Sequence, residues 1–270
     1  MNIYKDESRN ENFVTRTATK IWYEKPDPKN PYIASQCFCH GYNLYDLLEK
    51  RSFVDTLYLL FRGELPNKDE SKLFETLLVA MINPGPRHPA TRAAMNAGNG
   101  KSDIAYILPI GLAALSGPYL GGIEVTKSMR FLARNLQKEP KDVAKQLLIN
   151  KSRPVNGDWH IAAGFGSRFN SIDVIPNNIA EILVEMPGRD KALCWGSHFV
   201  SAILKYNLGW LITGVTAAVL VDLGFQPRAG AGIFQLMSAP GILAHAAELT
   251  NKPRTAMPFV DQNNYHIESN

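Results

Sequence analysis

Apolar residues recur at helical spacing along most of the chain, interrupted by Pro- and Gly-rich punctuation. The stretch YNLYDLLEKRSFVDTLYLLFRGELP, residues 42–66, keeps its apolar side chains in register and closes on Gly-Glu-Leu-Pro, which predicts a helix that stops there. Ser71 to Ile82 follows, its Ser71 and Glu75 close to a capping arrangement, and it ends before NPGPRHP. An Ala- and Met-rich helix restarts at Thr91, and amphipathic helices are expected over 123–137 and 140–151. After a loop carrying SRPVNGDWHIAAGFGSRFNSIDVIP come short helices at 177–186 and 189–205, an apolar helix near 209–223 and another at about 229–248. Strand signals are sparse, no repeat is visible, and the tail reads as irregular. The pattern predicts an all-α fold.

Two uncharged runs qualify this picture. AYILPIGLAALSGPYLGGI (105–123) is punctuated by Pro109, Pro118 and several glycines, and LGWLITGVTAAVLV (208–221) is shorter than the ~20 residues a bilayer requires. Both read as buried helices of a core or a subunit interface, and no membrane span is expected. The polar start MNIYKDESRNENF is not that of a signal peptide. A formal charge of +4 on 270 residues, with Lys and Arg scattered, suits an anionic metabolite and argues against nucleic acid. Cys37, Cys39 and Cys194 cannot all pair, and Cys39-His40 has no second pair to complete a metal site. Free thiols in a reducing cytoplasm are expected, with no metal.

The chemistry concentrates in GDWHIAAGFGSRF, residues 157–169. Gly164 and Gly166 let backbone approach a ligand closely, and Arg168 offers a planar fork for a carboxylate or phosphate. The loop is not a P-loop, because no Gly-Lys-Ser/Thr follows it and no strand is expected before it.

Four segments taken in order carry a resemblance. HGYNLYDLLEKRSFVDTLYLLFRGELP, LPIGLAALSGPYLGGIEVTKSM, GFGSRF and LVDLGFQPRAGAGIFQLMSAPGILAHAAE resemble, co-linearly over about residues 40–250, the signature segments of the citrate synthase superfamily. The second segment and the short chain are most similar to the citryl-CoA lyase branch and to the lyase module of ATP citrate lyase. The resemblance implies a helical homodimer in which a large domain (1–123 and 214–270) carries a small closing domain (124–213). It also implies an acyl-CoA thioester and a carboxylate as substrates, with no tightly bound cofactor.

Carried over residue by residue, the family's side chains are largely replaced. Its Gly-Pro-x-His-Gly-Gly histidine falls on Leu120, its Gly-Phe-Gly-His-Arg histidine on Ser167, and its catalytic aspartate on Gly209 or Thr213. An arginine of the closing helix becomes Ser238, a substrate histidine falls near Pro84, and a further arginine falls near Pro176. Arg168 matches, Arg254 matches an arginine near the family's C-terminus, and His245 matches its Ala-His pair.

The candidates for replacement chemistry are His160, Ser167 as an oxyanion donor, and Asp173 as a base, with Asp158 as its competitor. The candidate substrate and CoA contacts are Arg87, His88, Gly164, Phe165, Gly166, Arg168 and Arg254. Arg87 and His88 sit at a helix start with Arg92, where side-chain charge and exposed N–H groups favour a carboxylate. His40 and His198 read as structural, and Asp222 as the end of the apolar helix. Two functions follow. One is a CoA-thioester enzyme that makes or breaks a carbon–carbon bond beside the thioester, and the other is an inert relative that binds CoA or a protein partner. Thioester hydrolysis on the same scaffold is a weaker third.

Overall fold

The computed structural model describes residue 15 and residues 17–155 and 157–268. The chain divides into two compact units, Met1–Leu65 and Pro66–Asn270.

The first unit opens with a small antiparallel sheet, β1 (Trp22–Pro26), β2 (Ala34–Cys39) and β3 (Tyr42–Asn43), in the order β1-β2-β3. Two helices follow, α1 (Leu44–Lys50) and α2 (Phe53–Arg62), where the periodicity alone predicted one. The break is Ser52, whose side chain accepts from the Asp55 N–H while Asp55 reaches back to the Ser52 N–H. That reciprocal cap satisfies N–H groups that a continuous helix would have paired internally. Cys39, Leu47 and Leu59 form a local core, and His40 faces the Leu60 carbonyl at 3.4 Å.

The second unit is helical, with α3 (Lys68–Met81), α4 (Pro89–Asn99), α5 (Ile104–Leu115), α6 (Gly122–Asn135), α7 (Pro140–Asn150), α8 (Val174–Val184), α9 (Lys191–Ile203), α10 (Ile212–Asp222) and α11 (Pro227–Thr250). The expected start of α3 at Ser71 is corrected to Lys68, because Asn67 and Glu70 form the capping box that Ser71 and Glu75 do not. Similarly, α4 begins at Pro89 rather than Thr91, since His88 caps it by accepting from the Ala90 N–H at 3.2 Å. A second sheet, β4 (His160–Ala162), β5 (Phe165–Gly166) and β6 (Gly209–Trp210), pairs the glycine loop with the segment entering α10.

Eight consecutive residues of α10, Thr213–Leu220, are buried, as an all-round apolar helix requires. It packs against α6 and α9, while α11 runs along α4, α5 and α6. Asp222 ends α10 as expected, but its carboxylate also accepts from the N–H groups of Ala192 at 2.6 Å and Leu193 at 3.1 Å, capping α9. Burial raises its pKa, and those N–H groups, with that of Asp190, partly restore the charged form. Among the described residues, no helix is long and apolar enough to cross a membrane.

Candidate active site

Three segments far apart in sequence meet at one buried carboxylate. Glu124 stands in the first turn of α6, 3 % exposed, where a negative charge complements the helix N-terminus. Its Oε2 accepts from the Leu120 N–H at 2.8 Å and from the Thr213 hydroxyl at 3.1 Å. Its Oε1 faces His160 Nδ1 at 3.0 Å and the Gly164 N–H at 3.5 Å. One side chain thus joins the loop before α6, the glycine loop and the start of α10. Because a carboxylate only accepts, the His160 proton sits on Nδ1, and Nε2 has no partner among the described residues.

Close backbone approach makes this convergence possible. Gly164 adopts φ +81, and a side chain there would strike Gly214 and the Ser128 hydroxyl, while the Gly164 carbonyl accepts from the Leu211 N–H at 3.0 Å. Phe165, next in the loop, is fully buried among Phe131, Phe199 and Trp210, with ring centroids 4.7–5.9 Å away. The aromatic cluster anchors the loop, so its following residues are held rather than free.

Leu120 is buried in the left-handed region with φ +51, a conformation that costs a non-glycine residue roughly 1–2 kcal/mol. It is held from both ends. Glu124 takes its N–H, and the His88 imidazole lies 3.4 Å from its carbonyl. Since His88 Nδ1 accepts from Ala90, its Nε2 carries the proton and donates to Leu120. Burial pushes the His88 pKa below its ordinary value; the Leu120 bond opposes this, and the Arg168 charge adds to it.

Arg168 follows, its Nη1 3.1 Å from Asp173 Oδ2, in a pair that remains partly open to solvent. On one side lies a cavity of about 230 Å³ lined by Asn83, Pro84, His88, Leu120, Pro176 and Ser238, among others. On the other side Arg87, Phe169 and Ser171 help line an open groove of about 640 Å³. Arg168 and Asp173 line both, so the ion pair stands at their junction. A guanidinium beside a carboxylate at the mouth of an apolar cavity can hold an anionic group and transfer a proton next to it.

Citryl-CoA lyase from Hydrogenobacter thermophilus matches with a TM-score of 0.75, over 94% of this chain and 95% of that one, at 24% identity. The chain has the citrate synthase-type fold. ATP citrate lyase from Methanosaeta concilii, solved with (3S)-citryl-CoA, matches at a TM-score of 0.69 and 17% identity, over 96% of this chain and 43% of that one. Citrate synthase from Thermotoga maritima matches at 0.52 and 16% identity, over 95% and 96% of the two chains. No protein-family model and no curated protein sequence matches the chain.

Within this fold, the residues singled out in the sequence separate into groups. His88, Arg168 and Asp173 line the cavity, and Arg87 lines the adjoining groove. His160 lies behind the Leu120 loop, bound to Glu124 and stacked on Tyr119 at 5.0 Å. Ser167 is fully buried and lines neither space; its hydroxyl accepts from the Trp159 N–H at 3.0 Å. Gly164, Phe165 and Gly166 shape the loop, with Gly166 backed closely against the main chain of Trp159 and His160. Arg254 sits on an exposed turn, its carbonyl accepting from the Asn99 side chain at 2.9 Å, and lines neither space.

Asp158 accepts from the Tyr119 hydroxyl and from the Asn170 N–H, tying the Leu120 loop to the glycine loop. Desolvation, followed by that bond to Asp158, pushes the Tyr119 phenol up to about 12. His245 receives the Asn83 side-chain amide at 3.2 Å.

Sequence reasoning missed Glu124, Tyr119 and Asn83. For Glu124 the signal was present: it shares the apolar stripe of α6 with Val125, Ser128 and Met129, where an acid is costly unless partnered.

Replacing Glu124 by Ala leaves Leu120, Gly164, Thr213 and His160 without their acceptor. A loss of about 3–5 kcal/mol is expected in urea unfolding, with Glu124→Gln losing less because an acceptor remains. A loss below 1 kcal/mol in the Ala variant would contradict the role given to this carboxylate.

The lowered His88 pKa has its own signature. An unfolded chain takes up the proton near 6.5, whereas folded His88 takes it up only at lower pH. The stability contributed by the neutral imidazole is therefore complete above about pH 6.5 and declines as pH falls through the lowered folded value. Thermal unfolding between pH 7.5 and 5 should reveal a steeper acid loss in the native protein than in His88→Asn, which keeps a capping side chain that does not titrate. Parallel curves would remove His88 as the source.

Proposed function

We propose that this chain is a CoA-thioester enzyme of the citryl-CoA lyase type, cleaving or forming a carbon–carbon bond beside the thioester. The observation that carries this reading is the placement of Arg168 and Asp173 at the junction of an apolar cavity and an open groove, in a fold shared with citryl-CoA lyase. In the cleavage direction, the substrate is a 3-hydroxyacyl-CoA bearing a carboxylate. Arg168 pairs with that carboxylate and Asp173 takes the proton of the 3-hydroxyl. The bond between C2 and C3 breaks, C3 becomes a ketone, and the electron pair passes to the thioester enolate, which is then protonated at C2. The groove lined by Arg87 and Phe169 suits the CoA portion, whose phosphates are anionic.

In this reading His160, Ser167, Gly164, Phe165 and Gly166 act by holding the glycine loop, and His88 by holding Leu120. The small closing domain is assigned to 124–213. Glu124 and Thr213, at its two boundaries, are hydrogen-bonded to each other at 3.1 Å, as the two strands of a hinge would be. Arg254 is kept as a CoA contact of the closed form.

A second reading, a binding protein without turnover, is favoured by the lining of the cavity. Pro84, Leu120, Pro176 and Ser238 stand together there, where the resemblance places two histidines and two arginines. The two readings separate on one experiment. Calorimetric titration with CoA, acetyl-CoA and citryl-CoA, followed by product analysis, should give binding and new products. Arg168→Ala should then lower kcat/KM by about ten- to a hundredfold, the worth of a charged hydrogen bond. Binding without products supports the second reading, and absence of binding sinks the first and leaves of the second only a protein partner.

A homodimer, cytoplasmic in location, belongs to the same proposal. Tyr106 and Ile110 of α5, one turn apart and 69% and 41% exposed, form an apolar patch that a second copy would cover. Light scattering at micromolar concentration should give twice the chain mass, and a clean monomer would reject the dimer.

A further inference from the structure

The cavity of about 230 Å³ beside Arg168 is walled by one kind of chemistry. Met81 at the end of α3, Leu120, Ile179 of α8, Ile212 at the head of α10 and Phe234 of α11 all line it. Each of these side chains is buried or half-buried. Five segments of the second unit thus bring apolar groups to one space. An apolar cavity of ~150 Å³ already admits benzene, so this one has room for a branched alkyl group.

The polar atoms on the same lining are largely committed elsewhere. His88 uses Nδ1 on the Ala90 N–H and Nε2 on the Leu120 carbonyl, and burial, which lowers its pKa, keeps it neutral near pH 7. Asn83 accepts from the Gly85 N–H at 2.8 Å through Oδ1, and its amide nitrogen meets His245 at 3.2 Å. Ser238, 1% exposed, adds one neutral hydroxyl. Charge on the lining is therefore confined, among the described residues, to Arg168 and Asp173, whose Nη1 and Oδ2 lie 3.1 Å apart. A carboxylate moving past that pair would lose water and gain no cation, whereas an alkyl group gains by leaving water.

We propose that the substrate places an aliphatic group in this cavity: it is a 3-carboxy-3-hydroxyacyl-CoA whose remaining substituent on C3 is an alkyl chain. The proposal rests on the CoA-thioester reading and adds to it the identity of that substituent. The short Arg168–Asp173 separation suits a carboxylate and a hydroxyl on one carbon, the first meeting the guanidinium and the second the Asp173 carboxylate. The alkyl chain then enters the cavity, and the thioester arm leaves by the groove. Asp173 takes the hydroxyl proton, the C2–C3 bond breaks, and C3 becomes the carbonyl of a 2-oxo acid. The electron pair forms the thioester enolate, which a proton at C2 converts to acetyl-CoA. The two products together contain the atoms of the substrate.

The test compares 3-carboxy-3-hydroxy-5-methylhexanoyl-CoA with citryl-CoA on the full-length protein, following release of acetyl-CoA by mass spectrometry. These thioesters differ only in the C3 substituent, isobutyl against carboxymethyl, and the two groups have equal numbers of heavy atoms. The expected kcat/KM favours isobutyl by about tenfold or more. Shortening isobutyl to methyl should lower it by about tenfold or more, because three carbons leave the cavity. Ile179→Ala, with its folding checked by circular dichroism, should lower kcat/KM for the isobutyl substrate by about fivefold or more and for the methyl substrate by less than about twofold. A preference for citryl-CoA, or an equal loss on both alkyl substrates in Ile179→Ala, would overturn the alkyl assignment and leave the CoA-thioester reading standing. Cleavage of none of the three thioesters would overturn that reading, and this proposal with it.

Discussion

A single buried carboxylate organises the candidate site. Glu124 accepts from backbone or side-chain donors on the Leu120 loop, the glycine loop and the head of α10, three segments spread over ninety residues of chain. An acid 3% exposed would be strongly unfavourable alone. Its cost is offset by several donors at once and by its place in the first turn of α6. Everything beyond it depends on this arrangement. Leu120 can occupy a left-handed backbone conformation because its N–H and carbonyl are both engaged, and Arg168 is presented to the cavity by a loop pinned between Glu124 and the buried Phe165.

The cavity that results is unusual in its chemistry rather than its shape. Apolar or small side chains, Leu120, Pro84, Pro176 and Ser238, occupy wall positions that the resemblance assigns to titratable and cationic groups. Charge is confined to one ion pair at the mouth and one histidine whose pKa burial lowers. Beside low-dielectric walls of this kind, each remaining polar contact weighs more than it would in bulk water.

Local hydrogen bonding explains where element boundaries departed from periodicity. Ser52 and Asp55 split one apolar run into two helices, Asn67 and Glu70 advanced the start of α3, and the His88 imidazole advanced that of α4. At Ser52 the apolar pattern ran through the true boundary, and at α3 and α4 the expected start fell short of it, because a cap is decided by one or two polar atoms that carry no weight in a hydrophobic period. The second sheet escaped notice for a similar reason: its strands Phe165–Gly166 and Gly209–Trp210 are two residues long, too short to establish an alternation.

The sequence by itself determined the helical class, the buried character of α10, the importance of the glycine loop and the candidacy of Arg168, His88 and Asp173. These follow from periodicity, from the order of short segments, and from the few charged residues beside glycines. Only the tertiary structure decided what those side chains face. Ser167 turned its hydroxyl to the Trp159 backbone, His160 turned to Glu124, and Phe165 entered the aromatic core, whereas Arg168, Asp173 and His88 came together at one cavity. The physical reason is that a pattern along the chain reports which residues are apolar or charged. Which of them share a buried site depends on backbone contacts between distant segments, such as the touch of Gly164 on Gly214, and no local spacing encodes those.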